Sequence, residues 1–250
     1  MSLESYNEQN QHPFLAAADA AAADRAAFIR RTYTLVGFTV LAFVGLLFAQ
    51  FTLPLGGETF AYHYLNLLSG FGSGGILGVF LLFMAATWFA NKLAASDASA
   101  AVQYAGLGLY TVVDTLFFIP LIAIGMARFG SAAMGDIMTQ AMLITLLLFG
   151  GLTATVFMTR KDFSFLRSFV TIGSFVVLGV IIAGMLFGFN LGLWFSGAMI
   201  LFMAAVILFK TDEVLRLYPV DKHVAAALTL FAAFATLLFY DLRFIMQRRD

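Results

Sequence analysis

Long apolar segments, separated by short polar stretches, run along almost the whole chain after its first 24 residues. A bilayer core of about 30 Å is crossed by roughly 20 helical residues. The apolar runs are continuous, whereas the strands of a membrane barrel alternate with period two. The pattern therefore predicts seven transmembrane helices, at residues 32–51, 75–94, 101–125, 137–158, 168–189, 191–209 and 224–245.

The composition agrees with an integral membrane protein. Hydrophobic residues make up 62% of the 250 residues and charged residues only 11%, whereas globular proteins carry about 25% charged residues. So few charges cannot cover a surface that faces water. We predict an all-α membrane protein in the lipid bilayer, with a polar, alanine-rich, flexible tail at residues 1–24 and a seven-span membrane domain at residues 25–250.

Several classes of function find no support in the residues. The formal net charge is zero and no long basic run exists, so nucleic acid is not an expected partner. The chain has no cysteine, and its three histidines lack partners at metal-ligand spacing, so no metal site is expected. Hydrolase and ATPase motifs do not occur either. We therefore expect a protein that is not an enzyme and has no cofactor.

The distribution of lysine and arginine predicts the orientation in the membrane, because cytoplasmic loops are enriched in these residues. With a cytoplasmic N-terminus, the outside loops hold only Arg128, whereas three arginines near the C-terminus would also lie outside. The last segment either crosses the bilayer, which we favour, or re-enters it. The inside segments would hold ten basic residues: Arg25, Arg30, Arg31, Lys92, Arg160, Lys161, Arg167, Lys210, Arg216 and Lys222.

Charged residues at membrane depth are the candidates for function, because an intramembrane charge costs at least about 2.5–3.5 kcal/mol on insertion scales. Asp114 lies in the middle of the third span, in LYTVVDTLFFIP, with no other charge within one helical turn. It is either a cation or proton site, or a protonated acid that is hydrogen-bonded to a neighbouring helix. The sequence leaves both interpretations open.

Two further groups of charges lie near the ends of the last two spans. Asp241 and Arg243 are expected close to the interface, with Arg243 extending its charge to water. At the inner end of the sixth span, Lys210 and Glu213 are three residues apart and placed to pair, although a solvated helix end is the simpler interpretation. The candidates for an ion pathway are Asp114, Asp212, Asp241, Lys210 and Arg243.

Glycines recur inside the predicted spans, for example at Gly106 and Gly108. Small residues allow helix backbones to approach closely in lipid. We therefore interpret these glycines as packing residues.

The stretch GLTATVFMTRKDFSFL resembles the segment by which transmembrane Bax inhibitor motif proteins are recognised, including the bacterial YccA-like members. In those proteins a T-A-x-x-F pattern ends one span and a T-(K/R)-x-D-F-S turn follows. The acidic residue of the third span and the closing LFYDLRFI are also similar to bacterial members. The matching motif residues are Thr153, Ala154, Phe157, Thr159, Arg160, Asp162, Phe163 and Ser164.

The resemblance implies a bundle of seven spans, six of them around a central one, in the inner membrane of a bacterium with a cytoplasmic N-terminus. It also implies one of two functions. The first is a cation leak channel or transporter, for calcium or coupled to protons, that uses an intramembrane acid. The alternative is a non-transporting membrane protein that modulates a membrane-anchored protease complex or a stress response.

At one place the sequence departs from the family pattern. The leak mechanism that the resemblance implies uses two buried aspartates, one in each of the last two spans. Here Lys210 stands at the first position, and the second falls at or near Phe234. Asp212 and Asp241 are close in sequence but on a different helical phase. We therefore predict that the two-aspartate gate is lost and that Asp114 is the remaining intramembrane acid.

Overall fold

A computed structural model describes residues 17, 20–159, 161–188 and 191–249, without the side chains of residues 72–79, 82 and 185. Arg160 of the motif, most of the predicted tail and residue 189 of the fifth predicted span lie outside the described residues. The elements in chain order are α1 (Ala22–Thr52), β1 (Pro54–Leu55), β2 (Glu58–Thr59), α2 (Phe60–Ser69), α3 (Gly72–Ala94), α4 (Ala100–Phe129), α5 (Ser131–Thr159), α6 (Leu166–Phe187), α7 (Leu193–Arg216) and α8 (His223–Arg249).

Six of the described helices, α1 and α4 to α8, are long and apolar enough to cross a membrane. The second predicted span lies on α3. The structure describes only some of the side chains of this helix. The all-α, multi-pass class is thus confirmed. The arrangement of seven spans stays a prediction.

Helix α1 begins ten residues before the predicted start of the first span and has 31 residues. The added residues are rich in alanine, which has the highest helix propensity. At about 1.5 Å per residue, α1 is about 46 Å long and exceeds the roughly 30 Å apolar core of a bilayer. Its first ten residues, nearly three turns that end at Arg31, therefore extend beyond the apolar part of the span.

A small hairpin and the short helix α2 connect α1 to α3, and the sequence pattern did not predict them. Strands β1 and β2 pair antiparallel, with Pro54 opposite Thr59. The turn between them uses Gly56 and Gly57 at φ of 66° and 101°, which side chains rarely adopt. Helix α2 then begins where the Thr59 hydroxyl accepts a hydrogen bond from the Tyr62 N–H.

Helix α8 is the most buried of the six spans. Its sequence is apolar nearly all round, which is typical of a helix enclosed by others. Helices α1, α3, α4, α5 and α7 pack against it, and α6 packs against α7. At its centre the Phe231 ring meets those of Phe43 on α1 and Tyr110 on α4 edge to face, with centroids 5.7 and 6.0 Å apart. The core of the bundle therefore surrounds the last helix.

Candidate functional site

Asp114 lies on the face of α4 that packs against α8. Its side chain is buried, at 7% exposure. The carboxylate Oδ2 has no hydrogen-bond partner within the part of the chain that the structure describes. The hydrogen bond to a neighbouring helix, one of the two interpretations that the sequence left open, is therefore not present at this oxygen, so the oxygen can interact with an ion, a proton or water.

A cavity of about 150 Å³ opens beside Asp114, between α4 and α8. A single water needs on the order of 10–15 Å³ of this kind of volume, so the cavity has room for several waters or a partly hydrated ion. Most of its wall is aromatic, and Thr236 and Tyr240 are its other polar side chains. The residues that line it are Asp114, Phe117, Phe118, Ala235, Thr236, Phe239 and Tyr240.

The hydroxyls near Asp114 are turned towards the backbone. Thr111 and Thr115 donate to the carbonyls of Leu107 and Val112 on their own helix, over 2.8 and 2.7 Å. Gln50 at the end of α1 donates to the Thr115 hydroxyl over 3.0 Å. These hydroxyl protons therefore already form hydrogen bonds with backbone carbonyls, and the Asp114 carboxylate is the strongest ligand of the cavity.

Asp241 is also buried, with 2% exposure, and it lies inside the bundle instead of near the interface as the sequence predicted. The position was wrong because α8 continues to Arg249 and is enclosed along most of its length. The Thr145 hydroxyl on α5 donates to Asp241 Oδ2 over 2.6 Å. Asp241 thus faces α5, whereas the Asp114 cavity lies between α8 and α4.

Asp212 is buried near the end of α7 and binds the turn between α5 and α6 that carries the T-R-K-D-F-S motif, the motif turn. Its Oδ1 accepts from Arg216 Nε over 2.6 Å and its Oδ2 accepts from the backbone N–H of Phe163 over 3.1 Å. Phe163 belongs to the T-R-K-D-F-S turn between α5 and α6. A charge-assisted hydrogen bond therefore ties this turn to α7.

The apolar motif residues of α5 face α1 or the lipid. Thr153 is buried, and the Phe157 ring packs edge to face on Tyr33 of α1, with centroids 5.6 Å apart. Ala154 is exposed. The hydroxyls of Tyr33, Thr153 and Thr211 are buried together, and those of Thr153 and Thr211 are within hydrogen-bonding reach of Tyr33. The motif thus joins α5 to α1 at the same end of the bundle at which Asp212 holds the turn.

The polar motif residues shape the turn itself. Thr159 is the last residue of α5, and its hydroxyl donates to the Thr155 carbonyl over 2.7 Å. Asp162 is exposed and accepts the Ser164 backbone N–H over 2.7 Å. That hydrogen bond lowers the pKa of the Asp162 carboxyl, with smaller contributions from the Ser164 hydroxyl and the nearby Arg216 charge. Asp162 is therefore a turn-forming residue, because its carboxylate satisfies the backbone donor that precedes α6.

The two positions at which the family pattern has aspartates hold no carboxylate. Lys210 pairs with Glu213 over 2.7 Å, as their spacing indicated, and remains half-exposed. Phe234 is fully buried, and its ring meets that of Phe149 edge to face at 5.6 Å. No acid pair is formed at these positions.

Contrary to the prediction from the sequence, the side chain of Arg243 does not extend its charge to water. The guanidinium is half-buried and donates to the Leu191 carbonyl in the segment before α7, and Gln247 donates to the same oxygen over 3.1 Å. A carbonyl at a helix boundary lacks a partner within its own helix, so it attracts such donors. Arg243 therefore fastens α8 to the start of α7.

Sequence reasoning missed Thr145 as the partner of the buried Asp241. Thr145 is a single polar residue within an apolar run, and such residues are common in membrane helices. No local signal in the sequence marked it. Only the fold shows which helix faces which, and hence that Thr145 reaches Asp241.

The whole membrane domain matches a known family. The family model described as Inhibitor of apoptosis-promoting Bax1 matches residues 25–250. The chain belongs to this family. Among curated proteins it is similar to the uncharacterized protein PA2604 of Pseudomonas aeruginosa, with 41% identity over 83 residues. That match covers 33% of the chain and 37% of the relative, so it spans about a third of each protein.

Membership of the Bax1 inhibitor family confirms the resemblance that the GLTATVFMTRKDFSFL stretch indicated. The matched range coincides with the membrane domain predicted from composition and includes both the motif turn and the Asp114 cavity. Within this Bax1 inhibitor family member, the motif turn joins helices, and the cavity holds a buried carboxylate oxygen without a described hydrogen-bond partner.

Proposed function

We propose that this family member is a cation leak pathway or transporter, with calcium as the ion and Asp114 as its intramembrane acid. The observation that carries the proposal is the buried Asp114 Oδ2, which has no described partner and lies beside a cavity of about 150 Å³. A carboxylate that cost several kcal/mol to bury, and that no described residue satisfies, is a functional candidate by default.

The chemistry of the cavity favours a leak over tight binding. Calcium takes six to eight oxygen ligands in its high-affinity sites. The described cavity offers one carboxylate with Thr236 and Tyr240, so water would complete the shell of a passing ion. Conduction requires binding that is weak enough for the ion to leave. A single acid in a hydrated cavity meets that condition.

We further propose a bacterial inner membrane location with the N-terminus in the cytoplasm, since ten basic residues then face inside and one faces outside in the internal loops and tail. The protein has no cysteine, so single engineered cysteines report the side of each loop. Glu58→Cys in the hairpin should react with an impermeant reagent in intact cells, and Lys161→Cys in the motif turn should not. The reverse pattern would overturn the orientation.

Calcium flux in proteoliposomes tests the function. Asp114→Asn keeps the shape of the side chain and removes its charge, and we expect a loss of flux of at least about tenfold, the factor given by about 1.4 kcal/mol of barrier. Asp136→Asn is the matched control, because Asp136 is an exposed acid on α5 away from the cavity. If the wild type gives no more calcium flux than empty liposomes, the leak proposal is wrong. The non-transporting, protease-modulating function would then be the one that stands.

A further inference from the structure

A basic groove lies at the end of the bundle where α1 leaves the apolar core. Its volume is about 570 Å³, which falls in the range of small-molecule sites. Arg30 and Arg31 of α1 form one wall, and Tyr104 of α4 and His223 of α8 form the other. Both arginines are exposed, and neither forms an ion pair with another described residue. The groove therefore carries two uncompensated positive charges.

The floor of the groove offers neutral polar groups. The Tyr104 hydroxyl and His223 Nε2 are 3.2 Å apart, and their rings meet edge to face. His223 Nδ1 is buried and faces the backbone of Asp221, so the ring is held between that backbone and the Tyr104 hydroxyl. The two guanidinium groups beside this ring are suited to an anion with several oxygens, since arginine recognises phosphate through paired N–H donors.

The lower part of the groove is apolar. Leu35 and Phe38 line it one and two turns further along α1. Phe38 is 65% exposed, and Leu41 and Phe48 continue this exposed apolar face towards the other end of the helix. The order along α1 is thus arginine, polar side chain and then apolar surface. A phospholipid presents the same order, from its phosphate to its acyl chains.

The acidic residues nearby do not cancel this charge. Asp97 is ion-paired with Lys222, which also donates to the Ser96 carbonyl. Asp221 is exposed in the loop before α8, and Asp24 lies in the first turn of α1, about one and a half turns before Arg30. The arginines directly above the apolar wall therefore remain the dominant charges.

We propose that this groove binds the headgroup of an anionic phospholipid, in the leaflet that faces the Arg30 end of the bundle. The arginines and the His223–Tyr104 pair hold the phosphate, while the acyl chains lie along Leu35 and Phe38. A lipid bound here joins α1, α4 and α8 at one end. This site is separate from the Asp114 cavity and does not depend on the transport of any ion.

Native mass spectrometry of the full chain tests the proposal in mixed micelles with equal amounts of phosphatidylglycerol and phosphatidylcholine. We expect the wild type to retain phosphatidylglycerol preferentially. An Arg30→Gln, Arg31→Gln double variant should lose roughly 30-fold in affinity, from about five- to sixfold per surface cation. Tyr104→Phe removes one hydroxyl and should cost about two- to tenfold.

The matched control is Arg248→Gln with Arg249→Gln, which removes the same charge from the last turn of α8. It should retain phosphatidylglycerol like the wild type. An equal loss in this control, or equal retention of both lipids by the wild type, would overturn the proposal. Complete displacement of the lipid by millimolar inorganic phosphate would also overturn it, because the groove would then be a site for a soluble anion.

Discussion

The backbone N–H of Phe163 lies 3.1 Å from Asp212 Oδ2, so the turn between α5 and α6 is bound to the end of α7. The other oxygen of the same carboxylate accepts from Arg216 over 2.6 Å. One buried side chain therefore satisfies a backbone donor of the motif turn and the guanidinium of its own helix. The T-R-K-D-F-S turn owes its fixed position to a residue some 50 positions further along the chain.

Asp212→Ala should destabilise the protein by about 2–3 kcal/mol, because it removes the acceptor of the Phe163 N–H and the ion pair between Asp212 and Arg216. The measurement is the free energy of unfolding in mixed micelles, together with hydrogen exchange at the Phe163 amide, which should become faster. Glu213→Ala is the matched control on the same helix. It removes the half-exposed pair with Lys210 and should cost only about 0.5 kcal/mol.

Unchanged hydrogen exchange at Phe163 in Asp212→Ala would show that the turn is held by other contacts. Equal destabilisation by the two alanine variants would show that the pairing of Asp212 adds nothing beyond an ordinary surface ion pair. Either result would contradict the role of Asp212 as the anchor of the motif turn.

Gly106→Ala and Gly108→Ala should differ sharply in stability. A Cβ at Gly106 would lie 2.6 Å from the Ala94 nitrogen and 2.8 Å from the Ala90 carbonyl oxygen of α3, so the two backbones must separate. Overpacking of this kind costs about 1–3 kcal/mol or more. A Cβ at Gly108 meets no described atom within 4 Å, and alanine there should be neutral or stabilising by up to about 1 kcal/mol. Thermal unfolding of both variants checks the difference.

These two glycines show what the sequence could and could not predict. Both lie in the same span two positions apart, and both fit the general expectation that small residues serve helix packing. Only Gly106 does so against α3, because a two-residue step on a helix rotates the side chain to another face. Composition and periodicity predict that α4 spans the membrane, but they do not predict which neighbour its small residues meet.

The two buried acids, Asp114 and Asp241, show the same limit of prediction from the sequence. Asp114 was recognisable because it is the sole charge in a long apolar run. Asp241 was misplaced because it lies two residues before Arg243, close to the basic end of the chain, and was assigned to the interface. Its partner, Thr145, lies 96 residues away in sequence. Such a long-range pairing follows from tertiary packing, and no local pattern encodes it.

Thr145→Val should destabilise the protein by about 1–3 kcal/mol, because valine keeps the shape of threonine but removes the donor to a buried carboxylate. Thr139→Val on the same helix is the control, since the Thr139 hydroxyl is exposed and donates to the Gly135 carbonyl of its own helix. It should change stability by less than about 0.5 kcal/mol. A Thr145→Val, Asp241→Leu double variant should recover part of the loss, and strict additivity would argue against a direct interaction.

The Asp162 carboxyl should titrate below the usual aspartate value of about 3.9, because it accepts the Ser164 backbone N–H. Its stabilising contribution is then fully present above that value and is lost as the pH falls through the lower folded-state pKa. Carbon-13 NMR titration of Asp162 measures the shift. Ser164→Pro removes the N–H donor and should return the pKa most of the way towards 3.9, whereas Ser164→Ala removes only the weaker hydrogen bond of the hydroxyl and should return the pKa by a smaller amount.

The pH dependence of calcium flux should follow the titration of one group, and Asp114→Asn should abolish it. Two carboxylates in close contact share a proton and titrate in coupled steps. Among the described residues, Asp114 is the single carboxylate that lines its cavity, Lys210 is paired with Glu213, and Phe234 is enclosed in the core. The flux of the wild type, plotted against pH, should therefore fit one proton per site.

Asp241→Asn provides the sharpest comparison, because Asp241 is equally buried but faces Thr145 on α5. This variant should keep the pH response of the wild type even if its stability falls, since its charge does not reach the Asp114 cavity. A response that survives Asp114→Asn and disappears in Asp241→Asn would assign the titrating group to α8. The ion would then pass between α5 and α8, and the cavity beside Asp114 would be a packing void.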